Sequence, residues 1–198
     1  MFVQVIRGPV QDVEGLQRLR ERWTEELKPG AEGYLGTTSG VTPGGEFVAL
    51  VRFRDETAGV ANAQRPEQSA WWSEVEKCFS APPVFAGTDD VTLYLDGGTD
   101  SAGFVQVMIG RCVDRAKAEA LEREWVPKLA PLRPDLMGGF TAWHADGTFT
   151  EVAYFTSEAE ARLGEALELP EAVTNALAES NDCYADISYF DLSDPWLA

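Results

Sequence analysis

Phe2-Val3-Gln4-Val5 recurs in the same order as Phe104-Val105-Gln106-Val107, 102 positions later. Keeping that offset without a gap from position 2 to position 56 aligns 15 identical residues. Shared composition alone does not hold one register for so long, so the match indicates an internal repeat. The sequence therefore predicts two half-chains of similar fold, over residues 1–98 and 103–198.

Each half predicts the same order of elements. A first strand leads through an aspartate, a residue type favoured at helix N-caps, into a helix that contains a tryptophan. A hairpin, a second helical region interrupted at a proline, and a closing strand follow. The ranges are, for the two halves, strands 2–7 and 104–109, hairpin turns 42–45 and 145–147, helical regions 58–77 and 158–178, and closing strands 91–95 and 185–190.

This β-α-β-β-α-β order is that of a ferredoxin-like unit, so the predicted fold class is α+β with two tandem ferredoxin-like repeats. Such a sheet has helices on one face only, and its other face needs cover. We expect the two sheets to pack face to face, as a pseudo-dimeric α+β barrel within one chain. The expected assembly is a monomer, with a further homodimer left open.

The composition narrows the class of partner. The chain has 33 Asp and Glu against 16 Lys and Arg, a net charge of −17, which disfavours nucleic acid and acidic membrane surfaces. It has no apolar run long enough for a membrane span and no signal-peptide pattern at its start. Its three cysteines are far apart and odd in number, so a reducing, cytoplasmic location is expected. No residue spacing indicates a metal site or a dinucleotide-binding loop.

The sequence resembles the antibiotic-biosynthesis-monooxygenase type of the dimeric α+β-barrel superfamily. The resemblance rests on the two Phe-Val-Gln-Val strands, on the helices with Trp23 and Trp125, and on residues 61–72, which read Ala-Asn-Ala-Gln-Arg-Pro-Glu-Gln-Ser-Ala-Trp-Trp. It implies oxidation of polycyclic phenols by O₂ without an added cofactor, or cleavage of bound haem. No histidine lies in the region 58–78, which argues against the histidine ligand of the haem-cleaving branch.

The quinone-forming branch implies a set of asparagine, tryptophan, tyrosine and arginine around an aromatic substrate. Matched onto this chain, the set is Asn62, Trp71 or Trp72, Arg65 and Tyr34. We assign catalytic roles to Asn62, Trp72 and Arg65, with Arg65 stabilising a phenolate that O₂ attacks. Trp71 and Tyr34 are assigned to substrate binding.

Three further candidates follow from the residues themselves. Gln4 and Gln106 hold equivalent positions between apolar neighbours, where an amide either orients a ligand oxygen or bonds to a neighbouring group. His144 is the only histidine, and it either transfers protons or is a turn residue in solvent. Repeat one holds the Trp71-Trp72 pair and repeat two has no aromatic there, so the site is expected in repeat one.

The resulting expectation is a cofactor-independent monooxygenase, or a protein that binds a small aromatic molecule. A non-catalytic binding or stress-associated protein is the alternative, and a haem-binding protein is a third.

Overall fold

Two five-stranded sheets with helices make up the chain, and the computed structural model describes residues 1–198. The elements in chain order are β1 (Phe2–Pro9), α1 (Val13–Arg22), β2 (Tyr34–Val41), β3 (Glu46–Phe53), α2 (Glu56–Ala63), α3 (Pro66–Val75), β4 (Val84–Thr88), β5 (Val91–Leu95), β6 (Phe104–Cys112), α4 (Arg115–Leu129), β7 (Leu136–Trp143), β8 (Thr148–Phe155), α5 (Glu158–Glu165), α6 (Glu171–Asn181), β9 (Tyr184–Leu192) and β10 (Trp196–Leu197). None of the helices has the length and apolar character needed to cross a bilayer.

The strand orders confirm two tandem ferredoxin-like repeats. The first sheet has the order β10-β2-β3-β1-β4 and the second the order β5-β7-β8-β6-β9. In each sheet the last four strands follow the ferredoxin-like pattern, with the repeat's first and third strands adjacent at the centre. The predicted α+β class is therefore confirmed.

The first helix of each repeat begins at an aspartate cap. Asp12 and Asp114 accept hydrogen bonds from the backbone N–H three residues later, at 2.8 and 3.0 Å. Each bond satisfies a donor that the first turn of a helix leaves unpaired. The predicted proline interruptions are also present, because α3 begins at Pro66 and α6 directly follows Pro170.

A β-bulge in β2 places Tyr34 on the helix-covered face of the first sheet. In a regular strand, residues 35, 37 and 39 would share one face. The pairing with β3 shifts between Tyr34 and Gly36, where the glycine has φ of +149°, so Tyr34 takes the place of Leu35. Leu35 instead points outward and is 55% exposed.

The prediction that residues 91–95 form the closing strand of repeat one is wrong: they form a strand, but it is not the fourth strand of the first sheet. Val84–Thr88 pairs with β1 instead, and β5 lies beside β7 at the edge of the second sheet. The C-terminal β10 in turn pairs with β2 of the first sheet. Alternating residues indicate a strand without indicating its partner, which explains the error.

The compact units follow this pairing. One contains Met1–Val91 with Asp194–Ala198, and the other contains Thr92–Ser193. They differ at their ends from the proposed sequence repeats 1–98 and 103–198. In the first unit, Ile6 and Phe47 of the sheet pack with Leu16 and Val75 of the helices, so the core lies between these two layers.

Candidate functional site

A cavity of about 450 Å³ opens between the sheet and the helices of the first unit. Its floor is the helix-covered face of the sheet, where Ile6, Phe47 and Val51 line it. Its walls come from α1, α2 and α3, and its edge from β10. A volume of this size suits a small-molecule ligand.

Aromatic side chains form a large part of the cavity wall. Trp23 lies 5.0 Å from Tyr34 and 6.4 Å from Trp71, measured between ring centroids, and Trp72 lies 5.3 Å from Phe85. All five line the cavity. Flat apolar rings at these separations make a surface on which a planar aromatic ligand can stack.

The indole N–H groups of this wall are already bonded. Trp23 donates to Gln68 Oε1, Trp71 to the Leu19 carbonyl and Trp72 to Glu76 Oε1, at 2.8 to 2.9 Å. These bonds fix the rings and leave them no donor for a ligand. The predicted pair Trp71 and Trp72 therefore lies at the cavity as two partly buried, anchored rings.

The two equivalent glutamines have different surroundings. Gln106 on β6 faces Asp191 on β9 and donates Nε2 to its Oδ1 at 2.8 Å. Gln4 on β1 faces Gly87, which has no side chain to accept a bond. The amide of Gln4 makes no hydrogen bond within the protein, and it lines the cavity. Gln106 therefore bonds to a neighbouring group of the protein, whereas the amide of Gln4 is available to bind a ligand.

Arg65 fixes the orientation of Asn62. Its Nη1 donates to Asn62 Oδ1 at 2.9 Å and to the Leu27 carbonyl at 3.1 Å, and its Nη2 pairs with Glu67 at 2.9 Å. A guanidinium is only a donor, so the bonded atom of Asn62 is its oxygen. Asn62 is 8% exposed and lines the cavity, and its Nδ2 has no partner within the protein. Arg65 does not line the cavity but lies behind Asn62.

Tyr34 is anchored at the edge formed by β10. Its hydroxyl lies 2.7 Å from Thr37 Oγ1 and 3.0 Å from the Ala198 carbonyl oxygen. The ring lines the cavity between Trp23 and Phe53. Tyr34 therefore supplies a fixed wall, placed there by the bulge in β2.

His144 lies in the second unit and does not line this cavity. Its Nε2 is 3.1 Å from Thr150 Oγ1, and burial lowers the pKa of its ring below the ordinary value. The imidazole is therefore neutral at neutral pH. No aspartate, glutamate, lysine or histidine lines the cavity of the first unit.

The cavity residues that the sequence reasoning did not assign to the site include Arg20, Trp23 and Trp196. Leu16, Arg20 and Trp23 follow one another at helical spacing, so one face of α1 and the turn after it could have been recognised. That turn, Trp23–Leu27, is a π-helical turn, a feature frequent at functional sites. Trp196 carries no such signal, because its partner strand lies about 157 residues away in sequence.

Solved structures of similar fold span the whole chain. A candidate monooxygenase from Lactobacillus acidophilus NCFM superposes with a TM-score of 0.69 at 12% identity, over 100% of this chain and 98% of that one. A candidate monooxygenase from Fusobacterium nucleatum subsp. nucleatum ATCC 25586 gives 0.75 at 9% identity, over 96% and 90%. A protein described as anthrone oxidase-like gives 0.68 at 12%, over 100% and 92%.

No protein-family model matches the sequence, and no curated protein sequence matches it. The resemblance in fold that the sequence predicted is confirmed by the structures. Identities this low show a shared fold alone.

Proposed function

We propose that the cavity of the first unit binds a small phenolic aromatic molecule, and that the protein oxygenates it with O₂ and without a bound cofactor. The observation that supports this most directly is the combination of anchored aromatic walls with the amide NH₂ groups of Gln4 and Asn62, which have no partner in the protein. Such a cavity favours a planar ligand with acceptor oxygens at its rim.

In this proposal Trp71 and Trp72 stack the ring system, and Gln4 and Asn62 orient its oxygens. Asn62 offers Nδ2, because its oxygen is held by Arg65. Arg65 acts as a positioning residue in this arrangement. A donor held in advance is effective because it needs no reorganisation when charge develops on the substrate.

The chemistry is the oxidation of a ring CH₂ to a carbonyl. The ring CH₂ and its phenol tautomer share one phenolate, which forms by loss of a proton to water and transfers one electron to O₂. The resulting superoxide recombines with the ring radical to form a carbon–oxygen bond, and the peroxide takes a proton back from water. Loss of water from this hydroperoxide removes the remaining hydrogen on that carbon and leaves a quinone. One oxygen atom of O₂ ends in the product and the other in water, so no other reductant is needed.

We assign the second repeat, 103–198, a structural role, and the bond between Gln106 and Asp191 supports this. There the amide at the equivalent strand position is used within the protein. Gln106 and His144 therefore contribute less to the proposal than the residues of repeat one.

The test measures oxygen uptake and quinone absorbance with dithranol, an anthrone with phenolic hydroxyls, and subtracts the rate without protein. The anthrone oxidase-like structure suggests this probe. Asn62→Ala is expected to lower the protein-dependent rate by about tenfold to a hundredfold. The control is Gln64→Ala, an exposed residue that follows α2 and does not line the cavity.

A wild-type rate no higher than that of Asn62→Ala across a panel of phenols would refute the enzymatic proposal. Binding of dithranol by calorimetry without oxygen uptake would instead favour the non-catalytic binding protein.

A further inference from the structure

Arg20 is the one charged side chain among the residues that line the cavity. Its Nε is buried and has no hydrogen-bond partner, and the guanidinium as a whole makes no hydrogen bond within the protein. The acidic side chain near the guanidinium is that of Glu21, whose Oε1 lies 3.8 Å from Nη2 and which is itself 55% exposed. The Arg20 side chain as a whole is 34% exposed, but a buried Nε–H without an acceptor is unfavourable, so a missing partner for that atom is indicated.

Trp196 lies against the guanidinium of Arg20. The Arg20 Cζ lies over the Trp196 indole at 5.0 Å from the ring centroid. Trp196 is in turn held by β10, where it pairs with Ser39 and packs against Phe47 at 6.3 Å. A guanidinium stacked on a fixed ring is restricted in orientation, which lowers the cost of binding a planar acceptor.

The fold itself does not require an arginine at this position. The equivalent residue of the second repeat, 102 positions later, is Glu122, which has the opposite charge. Both residues lie on the first helix of their repeats. The charge of Arg20 is therefore a property of the first cavity, beyond the needs of helix packing.

Two further unpaired donors of the cavity point to the same ligand chemistry. Gln68 accepts from Trp23 through its oxygen, which leaves Nε2 as a donor, and Asn62 likewise presents Nδ2. Among its side chains, the cavity thus combines N–H donors with one positive charge and no carboxylate, and the terminal main-chain oxygen of Ala198 at its edge already accepts from the Thr37 N–H and the Tyr34 hydroxyl. A ligand with an anionic, oxygen-rich group matches this set.

We propose that the aromatic ligand carries an ionised carboxylate that binds Arg20, and that Trp196 positions the guanidinium for it. The carboxylate accepts from Nε and a terminal nitrogen of the same guanidinium, the forked geometry that arginine offers to planar anions. This inference rests on the proposed function, because it describes a ligand of the same cavity.

The test compares 2-naphthoate with 2-naphthamide, a neutral compound of similar shape, by isothermal titration calorimetry at pH 7.5. The net charge of −17 disfavours an anion at long range, so any preference for naphthoate has to arise inside the cavity. We expect wild-type protein to bind naphthoate about tenfold or more tightly than naphthamide. Arg20→Met is expected to abolish that preference while naphthamide binding stays within about twofold.

The matched control is Arg18→Met, because Arg18 lies on the same helix with a side chain that is 69% exposed. It is expected to keep the full preference. Arg20→Lys retains the positive charge without the forked donors of a guanidinium, and it is expected to keep only part of the preference for naphthoate. This variant tests the inference if Arg20→Met does not fold. Trp196→Ala is expected to weaken naphthoate binding more than naphthamide binding.

The outcomes separate this inference from the proposed function. Equal affinity for the two compounds in wild type, or an unchanged preference in Arg20→Met, overturns the carboxylate inference and leaves the aromatic cavity standing. Failure of both compounds to bind any variant at millimolar concentration counts against the proposed function as well.

Discussion

Glu151 on β8 is expected to destabilise the protein above neutral pH. Burial, with a smaller effect of the nearby Glu122 carboxylate, raises the pKa of its carboxyl from the ordinary 4.5 to about 7, and the Tyr94 hydroxyl opposes this in part. In the unfolded chain the group ionises near 4.5. The folded state therefore loses stability as pH rises from about 4.5 through 7, where the folded protein also becomes ionised.

The magnitude follows from that difference. A pKa difference between about 4.5 and 7 corresponds to about 3 kcal/mol, and the remaining solvent contact of this partly buried side chain reduces the cost to about 2 kcal/mol. Glu151→Gln keeps the size of the side chain but cannot ionise, and the Tyr94 hydroxyl keeps its hydrogen bond to the Val152 carbonyl oxygen. We expect the variant to unfold at a temperature roughly 4 to 8 °C higher than wild type at pH 8, and at nearly the same temperature at pH 4.5.

The measurement is thermal unfolding followed by circular dichroism at a series of pH values between 4.5 and 8. Glu124→Gln is the control, because Glu124 is 61% exposed and pairs with Lys128, which lowers the pKa of its carboxyl. That variant should show no gain at pH 8. A gain for Glu151→Gln that is equal at both ends of the pH range, or absent at pH 8, would refute the argument from ionisation.

Two further predictions concern the site residues. Gln106→Leu should lower the free energy of unfolding by about 1 kcal/mol because Asp191 loses a donor. Gln4→Leu should change it by less than about 0.5 kcal/mol because the amide of Gln4 has no partner. Urea unfolding of both variants measures the difference, and equal losses would contradict the prediction. Arg65→Met should reduce dithranol turnover by about tenfold with little change in dithranol binding, because Asn62 is then free to rotate. Steady-state kinetics measures the turnover and calorimetry the binding, and an unchanged rate would show that Arg65 does not position Asn62.

Much of the site was recognisable from repeat one alone. Asn62, Trp71 and Trp72 occur in one short segment, and the resemblance to the monooxygenase family matched that segment to the site. Gln4 was recognisable because a polar residue between apolar strand neighbours is unusual. Its lack of a partner was not, since that depends on Gly87 being opposite, a matter of strand register.

The sequence by itself determined the duplication, the order of elements, the caps and the interrupted helices. These depend on periodicity and on residues a few positions apart, so each repeat contains the information within itself. It also determined the bulge glycines Gly36 and Gly138, which stand at equivalent positions with φ of +149° and +145°.

Only the tertiary structure decided which edge strands join which sheet, and with them the wall of the cavity. Strand pairing is made by backbone groups that every residue except proline shares, so the pattern in β5 and β10 does not name a partner. Once β10 pairs with β2, Trp196 comes to lie under Arg20, from more than 170 residues away in sequence. Residues so distant in the chain meet only through the packing of the whole unit, and for that reason the anion-binding arginine was invisible in the sequence.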